Sequence, residues 1–347
     1  MTAPTRSEIF FLPAALPLEC DELMLAPMVA FETYGEKRPD AAVLLLHGVT
    51  HSHCAASGEP PGPDLPYSPD AWFANAVGPG KPIDTDTFWV ISCGLLGSPW
   101  GSSSPVSPNP ETGSPYSVDF PPITATDMAR AAGGLCRSLG VTRLAGVVGH
   151  GFGGMVALRL ASLFPETVAS VTTLGTTASL PDSLRRKLAS VRQQLDADRA
   201  FKHGQYTTQA PPEAAMQRVR LGLLRELYPR DYLARIHGDL FAAERALDSE
   251  ATEFSWVFDA NCYAALCDAH ARTDLYESLG RIKARTLVLT ASTDVLAPPE
   301  RARDTYHRLT ASGVQARYYE LQSDAGHRAY ELEAAKVGMV IRDFLGR

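Results

Sequence analysis

The stretch that most constrains this chain is Val147-Val148-Gly149-His150-Gly151-Phe152-Gly153-Gly154-Met155. An apolar run, Leu144 to Val148, meets a glycine cluster, and Met155 to Ala161 (MVALRLA) continues with helical character. Strand, sharp glycine turn and helix are the setting of a nucleophile elbow, G-x-S-x-G, in which a strained turn holds up a serine. Here the frame is Gly149-x-x-x-Gly153 and its middle position is Gly151. The elbow is written and its nucleophile is not.

Apolar runs on either side predict the architecture. Ala41 to His47, Phe88 to Ser92, 143–148, Val168 to Leu174, Arg285 to Ala291 and Ala316 to Leu321 read as strands. Met28 to Tyr34 reads as a half-exposed strand. Helical periodicity covers Thr124 to Leu139, with Thr126 as N-cap and Gly140 as stop, then the elbow helix to about Phe164, a helix from near Pro298, and Ala334 to Leu345. Residues 51–85 and Cys93 to Pro122 are rich in Gly, Ser and Pro and read as loops. Between 179 and 281 the pattern is helical and charged, in four segments: Leu184 to Leu195, Pro212 to Tyr228, Tyr232 to Ala246 and Phe254 to Ala271. Alternating strands and helices imply an α/β fold, a mostly parallel sheet covered on both faces. Residues 1–178 and 282–347 form its two parts, and 179–281 forms a helical lid over the carboxyl strand ends, where such sheets bind ligands.

Composition excludes several function classes. The net charge of -7 and the lack of a basic stripe argue against nucleic-acid binding; Arg185-Arg186-Lys187 reads as a solvated helix face. No signal peptide and no membrane span are expected, which points to the cytoplasm. Six scattered cysteines without CxxC pairs suit free thiols. His51-Ser52-His53-Cys54 is ligand-rich, but no second ligand cluster follows at a recognisable spacing, so no metal site is expected.

Two residues downstream of the elbow carry chemistry. Asp294 follows the 285–291 run directly and His327 follows 316–321, both in loops at carboxyl strand ends. An Asp after a strand is often a helix cap and a lone His is often a loop residue. In this order, behind an elbow, they read as the acid and base of a triad, Asp294 fixing the tautomer of His327. Asp324 is a weaker acid candidate. Backbone N–H groups of Phe152 and of the loop after the 41–47 run (Val49, Thr50) would supply an oxyanion hole.

These stretches, taken together, resemble the homoserine O-acetyltransferase family, a branch of the α/β-hydrolases. The likeness runs through Phe31-Glu32-Thr33-Tyr34-Gly35, His47-Gly48-Val49-Thr50-His51-Ser52-His53, Val77-Gly78-Pro79-Gly80-Lys81 and Asp84-Thr85-Asp86. It continues in Asn109-Pro110-Glu111-Thr112-Gly113, Asp119-Phe120-Pro121, Thr126-Asp127-Met128, Phe258-Asp259-Ala260-Asn261-x-Tyr263, Pro298-Pro299-Glu300 and Gly326-His327. The resemblance implies no bound cofactor. Acetyl-CoA or another acyl-CoA would be a cosubstrate, its acyl group passing to the elbow serine and then to the hydroxyl of an amino acid or small metabolite. It also implies a lid arginine for the amino-acid carboxylate, Arg218 or Arg220, with Tyr228 nearby and Asp259 either on a substrate amine or capping a helix. A homodimer through the lid is a further implication. The chain departs from the family at Gly151 and at Gly101-Ser102-Ser103-Ser104-Pro105.

Without an Oγ at 151 no acyl-enzyme forms and ping-pong transfer stops. Three readings follow: an acyltransferase or esterase inactivated at this position; a serine-less enzyme using Asp294 and His327 for elimination, cyclisation or water-mediated hydrolysis; and a ligand-binding pseudoenzyme. Cys54 and Cys93 are the alternative nucleophiles in principle.

Overall fold

The computed structural model describes residues 2–58 and 70–346; part of the expected 51–85 loop therefore lies outside the described residues. The central sheet has eight strands: β1 Arg6–Phe11, β2 Met28–Tyr34, β3 Ala42–Leu46, β4 Trp89–Cys93, β5 Leu144–His150, β6 Ser170–Leu174, β7 Arg285–Ala291 and β8 Ala316–Leu321. Their spatial order is β1-β2-β4-β3-β5-β6-β7-β8. The pairs β1/β2 and β2/β4 are antiparallel and the rest are parallel.

Alternation along the strands explains the two cores. On β3, Leu44 and Leu46 join one apolar cluster while Val43 and Leu45 join the other, since successive side chains leave opposite faces of a sheet. The first cluster packs against α1 (Ala125–Ser138), α2 (Phe152–Leu163) and α9 (Pro299–Ala311). The second packs against α11 (Ala334–Leu345). Between β6 and β7 the chain leaves for the helical insert, α3 Asp182–Ala189, α4 Val191–Asp196, α5 Glu213–Leu227, α6 Arg230–His237, α7 Leu240–Val257 and α8 Ala260–Arg272. A short helix, α10 (Ala329–Leu332), follows His327. Among the described residues no helix is long and apolar enough to cross a membrane.

Several expectations are corrected. β2 is buried along almost its whole length rather than half-exposed, because β1, not foreseen in the sequence, pairs with its outer edge. Thr124, not Thr126, caps α1: its side chain accepts from the Asp127 N–H, and Asp127 returns the bond to the Thr124 N–H, a capping box. Thr126 instead accepts from Arg159 Nε at 2.6 Å. Three expected lid segments each divide into two helices. The breaks lie at Ser190, at Gly238 (φ +92°) before the cap Asp239, and at Phe258 before the cap Asp259.

Candidate active site

The elbow joins β5 to α2, and its glycines have unequal duties. A Cβ on Gly153 would run into the carbonyl oxygens of Leu46 and His47, and one on Gly149 into the backbone of Gly153 and Gly154. Those two positions are glycine because the helix must start hard against the sheet. Gly151 is different. It holds φ +52° and ψ −118°, a strained geometry for any other residue, yet a Cβ there would meet only His327 Nε2 at 3.6 Å and Gly48 Cα at 4.0 Å. Those are ordinary contacts. The Thr176 hydroxyl donates to the Gly151 carbonyl at 2.9 Å and holds the turn.

The acid and base meet beside this turn. His327 Nδ1 lies 2.9 Å from Asp294 Oδ2. Asp294 is fully buried; its Oδ1 accepts the N–H groups of Leu296 and Ala297, both at 2.9 Å, and its Oδ2 also accepts the Tyr330 hydroxyl at 2.8 Å. Burial pushes the Asp294 pKa up, but the neighbouring imidazole and these donors outweigh it and the net shift is down. Burial alone would depress His327, and the Asp294 charge and hydrogen bond reverse that, so its pKa is raised. The pair is built to hold a proton on Nδ1 and to leave Nε2 facing position 151.

The residues expected to supply oxyanion-hole donors line the same space. Phe152 is the first residue of α2, so its N–H has no partner within the helix and lies at the positive end of the helix dipole. Val49 and Thr50 line the pocket opposite. Their loop is pinned by His47, whose Nε2 accepts the Leu95 N–H at 3.1 Å, which leaves the proton on Nδ1 for the Gly48 carbonyl at 2.7 Å. Burial drives the His47 pKa down to about 3; it is a neutral positioning residue.

The fold separates the substrate-binding candidates. Arg220 is buried, lines the pocket, donates to Glu250 at 3.0 Å and stacks over Phe254. Arg218 is 62% exposed and pairs with Asp198 at 2.7 Å, so it faces solvent and not the site. Asp259 caps α8 through the Cys262 N–H and accepts the Tyr206 hydroxyl; the cap reading holds. Tyr228 stands behind the pocket wall and accepts from Arg328 at 2.9 Å. Asp324 pairs with Arg235 at the surface. Neither thiol lines the pocket: burial, with Asp70 and Glu32, pushes Cys54 up to about 12, and Cys93 is buried in the core with its pKa raised by that burial.

Several pocket residues went unread in the sequence. Arg328 and Glu331 follow His327 closely and pair at 2.7 Å, and Arg328 also faces Glu250 at 3.7 Å. His51 and His150 complete the same wall. The charged lining is the Arg220 and Arg328 guanidiniums and the Glu331 carboxylate, with Glu250 paired to both arginines, around an apolar cavity formed by Leu180, Leu184, Leu188, Leu223 and Met155.

Comparison with known proteins places the fold and the family. The profile of the alpha/beta hydrolase fold matches residues 41–334. The serine O-succinyltransferase of Litchfieldella anticariensis is 33% identical over 344 residues, which cover 91% of this chain and 92% of that protein. The homoserine O-acetyltransferase of Carboxydothermus hydrogenoformans is 30% identical, covering 95% and 92%. Among solved structures, homoserine O-acetyltransferase from Bacillus anthracis superposes with a TM-score of 0.88 at 23% identity over 99% of this chain and 98% of that one, a likeness of fold.

Proposed function

Since the chain belongs to the homoserine O-acetyltransferase family of the α/β-hydrolase fold, we propose that its pocket is that of an O-acyltransferase silenced at the covalent step. An acyl-CoA would be the donor, and the hydroxyl of an amino acid or small metabolite the acceptor. The observation that carries this reading is the room kept for a side chain at 151, aimed at His327 Nε2. A chain whose site had been rebuilt for other chemistry has no reason to keep that vector open. The paired Arg220, Arg328, Glu250 and Glu331 suit a zwitterion better than a simple anion, because both signs of charge are presented together.

Ligand binding by the unaltered chain tests this, since binding does not need the nucleophile. Titration calorimetry with serine or homoserine is expected to show saturable binding that Arg220→Met weakens by about 10-fold or more, the worth of a charge-assisted hydrogen bond. Arg218→Met, altered outside the pocket, is expected to change nothing. Equal losses in both variants, or no binding at all, would sink the assignment.

A second reading is favoured by the intact pair itself. Asp294, His327 and Tyr330 remain fully connected although the group they would serve is absent, which suits a native enzyme running acid–base chemistry on water or substrate. We also propose a homodimer through the lid, on the strength of Phe241, Trp256 and Val257 of α7, exposed by 74%, 64% and 48%, a set of apolar side chains that water disfavours. Analytical ultracentrifugation reads this directly: a monomer at tens of micromolar removes it.

A further inference from the structure

We propose that His51, His150 and Glu331 form a binding site for one divalent transition-metal ion of the zinc class. All three are buried, all three line the pocket, and one ligand atom from each lies within 4.8 Å of the others. His51 Nε2 and Glu331 Oε1 are 3.2 Å apart. Zinc bonds of about 2.0–2.1 Å at tetrahedral angles separate neighbouring ligand atoms by roughly 3.4 Å. That pair is already spaced as one edge of a coordination polyhedron.

The case rests further on what these groups lack. His150 is 3% exposed, and among the described residues neither of its ring nitrogens has a hydrogen-bond partner. Nδ1 of His51 has none either. Glu331 is held by Arg328 at 2.7 Å and by His51 at 3.2 Å, so the unmet partners are on the two imidazoles. Buried polar groups are rarely left so. A cation held by His51 Nε2, Glu331 Oε1 and one ring nitrogen of His150 would give His150 the partner it lacks. Gly48 supports this: a Cβ there would stand 3.2 Å from His150 Nδ1 and 3.4 Å from His51 Nδ1, so glycine keeps open the space that both imidazoles border.

Ligand chemistry sets the class of ion. Two imidazoles and a carboxylate suit zinc or its neighbours, whereas magnesium and calcium demand oxygen. Three protein ligands leave a fourth position for water or substrate, the pattern of reactive rather than structural sites. Arg328, 2.7 Å from Glu331 Oε2, would orient the carboxylate from outside. The His-rich segment at 51–54 lacked a second ligand cluster in the sequence, and the fold brings it from the elbow and from α10. His53 and Cys54 take no part.

The site shares Glu331 with the proposed acceptor pocket, but its test does not require acyl transfer. Chelator-treated protein is titrated with zinc chloride by calorimetry, and with cobalt chloride while the visible spectrum is recorded. One ion per chain is expected at micromolar affinity or tighter, with a visible absorption for cobalt bound to nitrogen and oxygen and a higher unfolding temperature with zinc. His150→Ala, which breaks no hydrogen bond, is expected to weaken zinc by about 100-fold or more. Glu331→Gln provides a second variant in case the first does not fold. Circular dichroism checks both. Zinc bound as tightly by the folded variants as by the parent, or no zinc bound by the parent, overturns the proposal.

Discussion

Gly151→Ser is expected to gain one acyl group on incubation with an acyl-CoA, read by intact mass, while the unaltered chain stays unmodified. The argument is geometric. The Cβ vector at 151 points to within 3.6 Å of His327 Nε2, and a hydroxyl one bond further out falls within the roughly 2.6–3.2 Å that general-base activation needs. The imidazole is held by Asp294, and the Phe152 N–H, first in α2, has no partner within the helix. Loss of a nucleophile from an otherwise whole site costs about 10^6 in kcat, of which binding and the oxyanion hole recover only part. Acyl transfer by the serine variant should therefore exceed that of the parent by about 10^3-fold or more. The same substitution places a Cβ at φ +52°, so it should also lower stability by roughly 1–3 kcal/mol. Gain of activity with loss of stability is a signature that a merely tolerated mutation does not give. If the serine variant folds, binds acyl-CoA and remains unlabelled, the silenced-acyltransferase reading fails and the acid–base reading takes its place.

How much of this was legible in the sequence depends on where each residue sits. Asp294 and His327 could be found because each directly follows an apolar strand run, and the order elbow, acid, base restricts which loops converge. Arg218 and Arg220 could not be told apart. Two positions on a helix differ by about 200° of rotation, so only one of them faces the pocket, and α5 mixes apolar and charged residues too evenly to reveal its phase. The lid breaks were missed for a related reason: Ser190, Gly238 and Phe258 interrupt segments whose hydrophobic pattern runs on across them. Tyr330, Arg328 and Glu331 were hidden because nothing in a short polar stretch announces that the turn after His327 folds back under it. β1 is an edge strand with exposed residues at alternate positions, too weakly apolar to stand out.

Asp294→Asn, placed in the Gly151→Ser background, is expected to cut the acylation rate by about 10^4-fold while leaving the fold in place. The surrounding donors dictate why. Both N–H groups of Leu296 and Ala297 point at Oδ1, so the amide oxygen of asparagine must stay there and its NH2 must take the place of Oδ2. His327 Nδ1 then faces a donor and can only accept, which moves the ring proton to Nε2, the nitrogen that has to receive a proton from the nucleophile. The Tyr330 hydroxyl, which now accepts the Ala291 N–H and donates to Oδ2, loses its acceptor as well. Stability carries an independent mark of the same pair. Asp294 has a folded pKa below its ordinary 3.8, so its contribution is present above that pH and is lost on acidification through the folded value. His327 has a folded pKa above its ordinary 6.5, so its contribution is complete below that pH and disappears as the pH rises through the folded value. Asparagine removes both effects together. Its cost, roughly 3 kcal/mol for a buried pair deprived of one partner, should therefore be greatest between about pH 4 and 6.5 and shrink on either side. Urea unfolding across that range measures it, and a penalty independent of pH would mean that Asp294 and His327 do not share a charge in the folded chain.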